Sequence, residues 1–99
     1  MLNLKTLFAE LAPGSTKKIE LVSGRRPRLV DGSTVRQLAD EMLNDEEVLD
    51  LCRAHGGGKE LDDLGDKPIR WTTNGPKGPV SVTVMMKGRE VSATFVAAG

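Results

Sequence analysis

The chain of 99 residues has no tyrosine, one tryptophan and two phenylalanines. A core with so few rings has to be built from Leu, Val and Met. Cys52 is the single cysteine, which excludes an internal disulfide and a cysteine-based zinc cluster. His55 is the single histidine, which excludes a multi-histidine metal site. No apolar run approaches the ~20 residues that a membrane helix needs. The stretch from Met1 to Lys5 lacks the charged-then-apolar layout of a secretory leader. The expectation is a cytoplasmic chain without membrane insertion. Net charge is absent too, 14 basic residues balancing 14 acidic ones. Bulk electrostatics therefore give no general attraction to nucleic acid or to a membrane surface.

What is present reads as one small folded domain, residues 1–99. Hydrophobic residues make up 38% and charged residues 28%, without a low-complexity tract, which favours a packed core over disorder. The charges are segregated. Residues 17–36 hold Lys17, Lys18, Arg25, Arg26, Arg28 and Arg36 against Glu20 and Asp31, whereas residues 40–66 are acidic.

The clearest local signal is in the last third. Val80, Val82, Val84 and Met86 alternate with Ser81, Thr83 and Met85, and Val91, Ala93 and Phe95 alternate on the return. With Lys87-Gly88 as the two loop residues, Val84 would face Val91, Val82 would face Ala93, and Val80 would face Phe95. One apolar face follows, and it needs a layer of helices or a second sheet over it.

Upstream, residues 2–11 predict an amphipathic helix with Leu4, Leu7, Phe8 and Leu11 on one face, ended by Pro13-Gly14. Lys17–Ser23 and Arg28–Val30 predict two strands joined at Gly24-Arg25-Arg26-Pro27, with Asp31-Gly32 as a further turn. Thr34 and Gln37 have the spacing of a capping box, so a helix is expected there, with Val35, Leu38, Ala39, Met42 and Leu43 as its apolar face. Asn44-Asp45 interrupts it, Asp45 is placed to cap a second helix through Ala54, and Gly56-Gly57-Gly58 ends that. Residues 59–66 predict an acidic loop, and Ile69, Trp71 and Thr73 a strand. The expected fold is α+β, an antiparallel sheet with helices on one face, in the order α-β-β-α-α-β-β-β.

Candidate chemistry is sparse. Gly56-Gly57-Gly58-Lys59 lacks the spacing of a phosphate loop and follows a helix, whose C-terminal carbonyls repel phosphate. Cys52 and His55 are three residues apart on one helix, the closeness a thiol nucleophile and its base require. Cys52 lies on the apolar side, where cysteine acts as packing. Asp62, Asp63 and Asp66 lack the spacing of a calcium loop. Arg25, Arg26 and Arg28 form the one basic cluster, suited to an acidic protein surface or to phosphates. No aromatic residue is interleaved for base stacking.

Three short motifs carry a resemblance. They are Val30-Asp31-Gly32 closing the first hairpin, Leu43-Asn44-Asp45-Glu46 between helices, and Ala93-Thr94-Phe95 ending the last strand. In this order, across residues 17–96, the chain resembles the N-terminal, PAS-like domain of the PilT-like ATPases of type IV pilus retraction and type II secretion. Two stretches depart from that family. Thr16–Leu21 stands where its Ala-Ser-Asp-Leu-His type signature opens the first strand. Pro79–Val84 stands, without arginine, where its Arg-x-Arg-Val strand reaches nucleotide. The resemblance implies the adaptor half without the motor: no enzyme activity, no cofactor, no metal, and a role in bacterial motility, pilus or secretion machinery.

The expected function is protein–protein interaction or self-association. Arg25, Arg26 and Arg28 are the candidate electrostatic contact, and Leu4, Leu7 and Phe8 the candidate docking face. The alternatives are a nucleic-acid-binding module using the same arginines and a PAS-like small-molecule sensor, for which no polar constellation names a ligand.

Overall fold

The computed structural model describes residues 4–56, 61 and 67–98. Helix α1 (Leu4–Leu7) runs into a 3-10 turn, Phe8–Glu10. Strands β1 (Lys17–Val22), β2 (Arg28–Asp31) and β3 (Thr34–Gln37) follow. Helix α2 (Asp45–Arg53) precedes β4 (Ile69–Gly75), β5 (Gly78–Lys87) and β6 (Glu90–Ala97). All six strands form one antiparallel sheet in the order β3-β2-β1-β6-β5-β4. Two meanders are thus joined where β1 pairs β6.

The alternation of β1, β5 and β6 decides which face is covered. Ile19, Leu21, Val80, Val82, Val84, Val91, Ala93 and Phe95 are buried, whereas the residues between them are half-buried on the other face. Leu4, Phe8 and Leu11, together with Val48 and Cys52 of α2, join the same core. Both helices therefore lie on one face of the sheet. The two phenylalanines meet at its centre, with ring centroids 5.5 Å apart. A fully buried valine or leucine contributes about 1.5–3 kcal/mol, so an aliphatic core suffices with few rings.

The last hairpin forms with a register two residues away from the expected one. Val84 pairs Ala93, Val82 pairs Phe95, Val80 pairs Ala97, and Lys87 pairs Glu90. The loop residues are Gly88 and Arg89. A loop of Lys87-Gly88 would fit the primed turn only with Lys87 in the left-handed region, and no residue other than glycine adopts it among the described residues. Gly88, with φ of 62°, instead takes the first loop position. A shift of two residues preserves the buried face.

Residues 34–43 are the larger correction. The expected helix is replaced by β3 and a strap of residues 38–43 without regular structure. Gly32 (φ 61°) and Ser33 make the same glycine-first turn, which sets Thr34 opposite Asp31 and Val35 opposite Val30. The β-branched pair Thr34-Val35 suits a strand, and hairpin closure overrides the capping-box spacing. Val35 is 54% and Met42 64% exposed while Leu43 is buried, so the supposed apolar face does not exist. The observed order is α-β-β-β-α-β-β-β, apart from the 3-10 turn.

Helix α2 begins with Asn44 as its cap, not Asp45. Asn44 Oδ1 accepts from the Glu47 N–H at 2.8 Å, and Glu47 Oε1 accepts from the Asn44 N–H at 3.1 Å. The two side chains satisfy orphan donors reciprocally. Asp45, Glu46 and Glu47 fill the first turn, where the helix dipole favours negative charge.

An acidic groove as candidate functional site

The strap is sewn to the turn between β1 and β2. The Leu38 N–H donates to the Pro27 carbonyl (2.8 Å), and the Gly24 N–H to the Leu43 carbonyl (2.7 Å). The Leu43 N–H donates to the Arg25 carbonyl at 3.1 Å. Arg26 Nε donates to the Asp40 carbonyl at 2.9 Å. Held there, the strap stands off α1 and α2, and a groove of about 750 Å³ opens between the three. Leu7, Leu38, Leu43 and Leu51 supply its apolar lining, and Asp40, Glu41, Glu47 and Asp50 its carboxylates. No cation lines it.

The electrostatics follow from where the basic residues go. Glu10 takes Lys17 and Arg36, and Glu20 takes Lys18 and Arg28, the last with Nε at 2.7 Å. Arg36 reaches Glu10 because β3 sets it across from Leu29, on the helix side of the sheet. Two glutamates thus pair with four of the six cations of residues 17–36. Around the groove only Asp50 has an ion pair, with Arg53 at 3.0 Å, among the described residues. Asp40 and Glu41 have none there, and the groove keeps its negative charge.

The expected contact residues are dispersed. Arg28 lies on the open sheet face beside Glu20. Arg26 is tied to the strap, and Arg25 lies exposed in the turn. Pro27 is buried beneath them. Leu4 and Phe8 are core residues, each 1% exposed, so they cannot form a docking face; Leu7 lines the groove. The strap was legible only as a helix face, so the groove it makes had no sequence signal.

Cys52 and His55 are separated by environment. Burial pushes the Cys52 thiol up to about 12, against a smaller lowering by the Arg53 charge. A thiol held protonated is a poor nucleophile. His55 sets its ring against Phe8 at 4.9 Å, and its carbonyl accepts from Trp71 Nε1 at 2.9 Å. Burial lowers its pKa, and the Lys5 charge lowers it further. Gly56, with φ of 93°, lies against the Trp71 ring. Gly57, Gly58 and Lys59, with Asp62, Asp63 and Asp66, lie outside the described residues. Among the described residues no group of acidic, histidine and cysteine side chains is placed to hold a metal. No helix there is long and apolar enough to cross a membrane.

The fold and the groove define an α+β domain with a one-sided antiparallel sheet and an acidic cleft at its helical layer. Among solved structures it is similar to the crystal structure of the pilus retraction motor PilT with bound ADP, with a TM-score of 0.73 and 17% identity. The superposition covers 100% of this chain and 30% of the PilT chain. The fold is therefore PilT-like, over less than a third of that motor's length. No family model and no curated protein matches the sequence.

Proposed function

We propose that the chain is a non-catalytic protein-interaction or assembly domain of a bacterial pilus, motility or secretion machine, built on the PAS-like fold of PilT-type N-terminal domains. One observation carries the reading: the likeness to the retraction motor runs over the whole of this chain, with a TM-score of 0.73. A segment that is one part of a motor in PilT is here the unit described, and it presents a cleft suited to a protein segment. The Cys52 thiol is buried and pushed up to about 12, which argues against its acting as a nucleophile with His55.

The test uses pilus and secretion ATPases of the organism that encodes this chain. Calorimetric titration of the purified protein against each should give saturable binding to at least one, and deletion of the gene should impair pilus-dependent motility or secretion. Absence of binding together with unimpaired motility and secretion would overturn the reading. Measurable ATP turnover by the pure protein, lost on Lys59→Ala, would overturn its non-catalytic part.

A further inference from the structure

We propose that the groove between α1, the strap and α2 receives a cationic amphipathic helix of a partner protein. The inference rests on the reading of the chain as a protein-interaction domain, and names the site and the chemistry of its occupant.

Three features of the groove select that occupant. Its floor is leucine: Leu7, Leu38 and Leu51 are half-buried, packed against the core yet still in contact with solvent. Covering them removes apolar surface from water, which favours association. Its rim is acidic, with Asp40, Glu41 and Asp50 and no lining cation among the described residues, so Lys and Arg on the occupant gain and anionic helices are repelled. Repulsion of the wrong sign supplies specificity.

Backbone chemistry favours a helix over an extended strand. An extended segment needs free N–H and C=O groups to pair with. The strap has spent its Leu38 and Leu43 amides, and its Asp40 and Leu43 carbonyls, on the turn between β1 and β2. The other walls are a short helix and a capped helix of nine residues whose interior amides are bonded within it. A segment that satisfies its own backbone fits, and an amphipathic helix is that segment.

The probe is a synthetic helix of about four turns, with leucines at helical i, i+3, i+4 and i+7 spacing flanked by Lys and Arg. Its controls are the same leucines flanked by Glu, and a scramble of the cationic peptide that destroys the stripe. Fluorescence anisotropy reads binding to the full chain. The cationic helix should bind, the Glu version should not, and the scramble should bind at least tenfold more weakly. The Asp40→Lys/Glu41→Lys variant should lose at least tenfold in affinity while melting like wild type, because both residues are exposed. Leu51→Ala should also weaken binding, with Leu51→Met restoring it. Equal binding of scramble and stripe, indifference to the double lysine variant, or no binding of the cationic helix would each overturn the proposal. Peptide binding without binding to any encoded pilus or secretion ATPase would leave the groove standing and remove the machine. ATPase binding unaffected by the double lysine variant would do the reverse.

Discussion

Ser23 shows how much can hang on a single hydroxyl. It lies just past β1, is buried, and its Oγ accepts from the Val91 N–H at 2.8 Å while its own N–H donates to the Val91 carbonyl at 2.9 Å. The side chain continues the β1–β6 ladder beyond its end. Ser23→Ala should therefore cost about 1–3 kcal/mol, the penalty for leaving a buried amide without a partner. Denaturant unfolding measures it, and a loss within error of zero would show that water replaces the hydroxyl. Cys52 makes the complementary point. Its thiol is fully buried and held near 12, so native protein should resist a thiol reagent that labels the unfolded chain at once. Rapid native labelling would contradict its burial. His55 gives a pH signature. Its folded pKa lies below the unfolded value of 6.5, so the unfolded chain binds the proton more readily. The stability it contributes is complete above about pH 6.5 and is lost as pH falls through the lowered folded value. The melting temperature should fall more steeply below that pH in wild type than in His55→Gln. Parallel slopes would place the titration elsewhere.

Elements differed in how far the sequence revealed them. The β5–β6 hairpin was legible because alternation fixes the face whatever the register, and a slip of two residues leaves Val82 and Phe95 inside. The register was less legible, since it depends on which loop position the glycine takes, and Gly88 could be read as second as easily as first. Residues 34–43 were misread for a different reason. Thr34 and Gln37 fit a cap and Leu38 to Leu43 fit a helical stripe, yet the Gly32–Ser33 turn commits Thr34 to β2 before any helix can start. Local spacing lost to a two-residue turn. The α2 cap was displaced by one residue because Asn44 and Asp45 are both capping residues, and the Glu47 partner decides in favour of Asn44. A prediction belongs at this scale. Val82 is fully buried between Trp71 on β4 and Phe95 on β6. Val82→Asp should abolish the cooperative melt, because an unpaired buried carboxylate costs several kcal/mol against a total stability of about 5–15 kcal/mol. A wild-type-like melt would invert the sheet.

Across the whole molecule, zero net charge conceals a polarity. Glu10 and Glu20 pair with Lys17, Lys18, Arg28 and Arg36, which offsets part of the positive charge of residues 17–36. Asp40 and Glu41 stay without an ion pair at the groove among the described residues. Composition and spacing could reveal the segregation of charge along the chain but not its pairing in space, which depends on β3 turning Arg36 toward Glu10. The same folding step removes the arginine cluster as a unit and creates the strap. The interaction face we propose accordingly lies at the groove and not at the turn of Arg25 and Arg26. Charge reversal at Arg25 should leave the fold intact, since exposed charges contribute little to stability.

An amide NMR titration of the full chain with the cationic helix tests the groove most directly. Shifts confined to Leu7, the strap from Leu38 to Leu43, and Asp50–Leu51 are the predicted result. Shifts centred on Arg25 and Arg26, or on Thr83 and Thr94 of the open sheet face, with the strap unmoved, would contradict it.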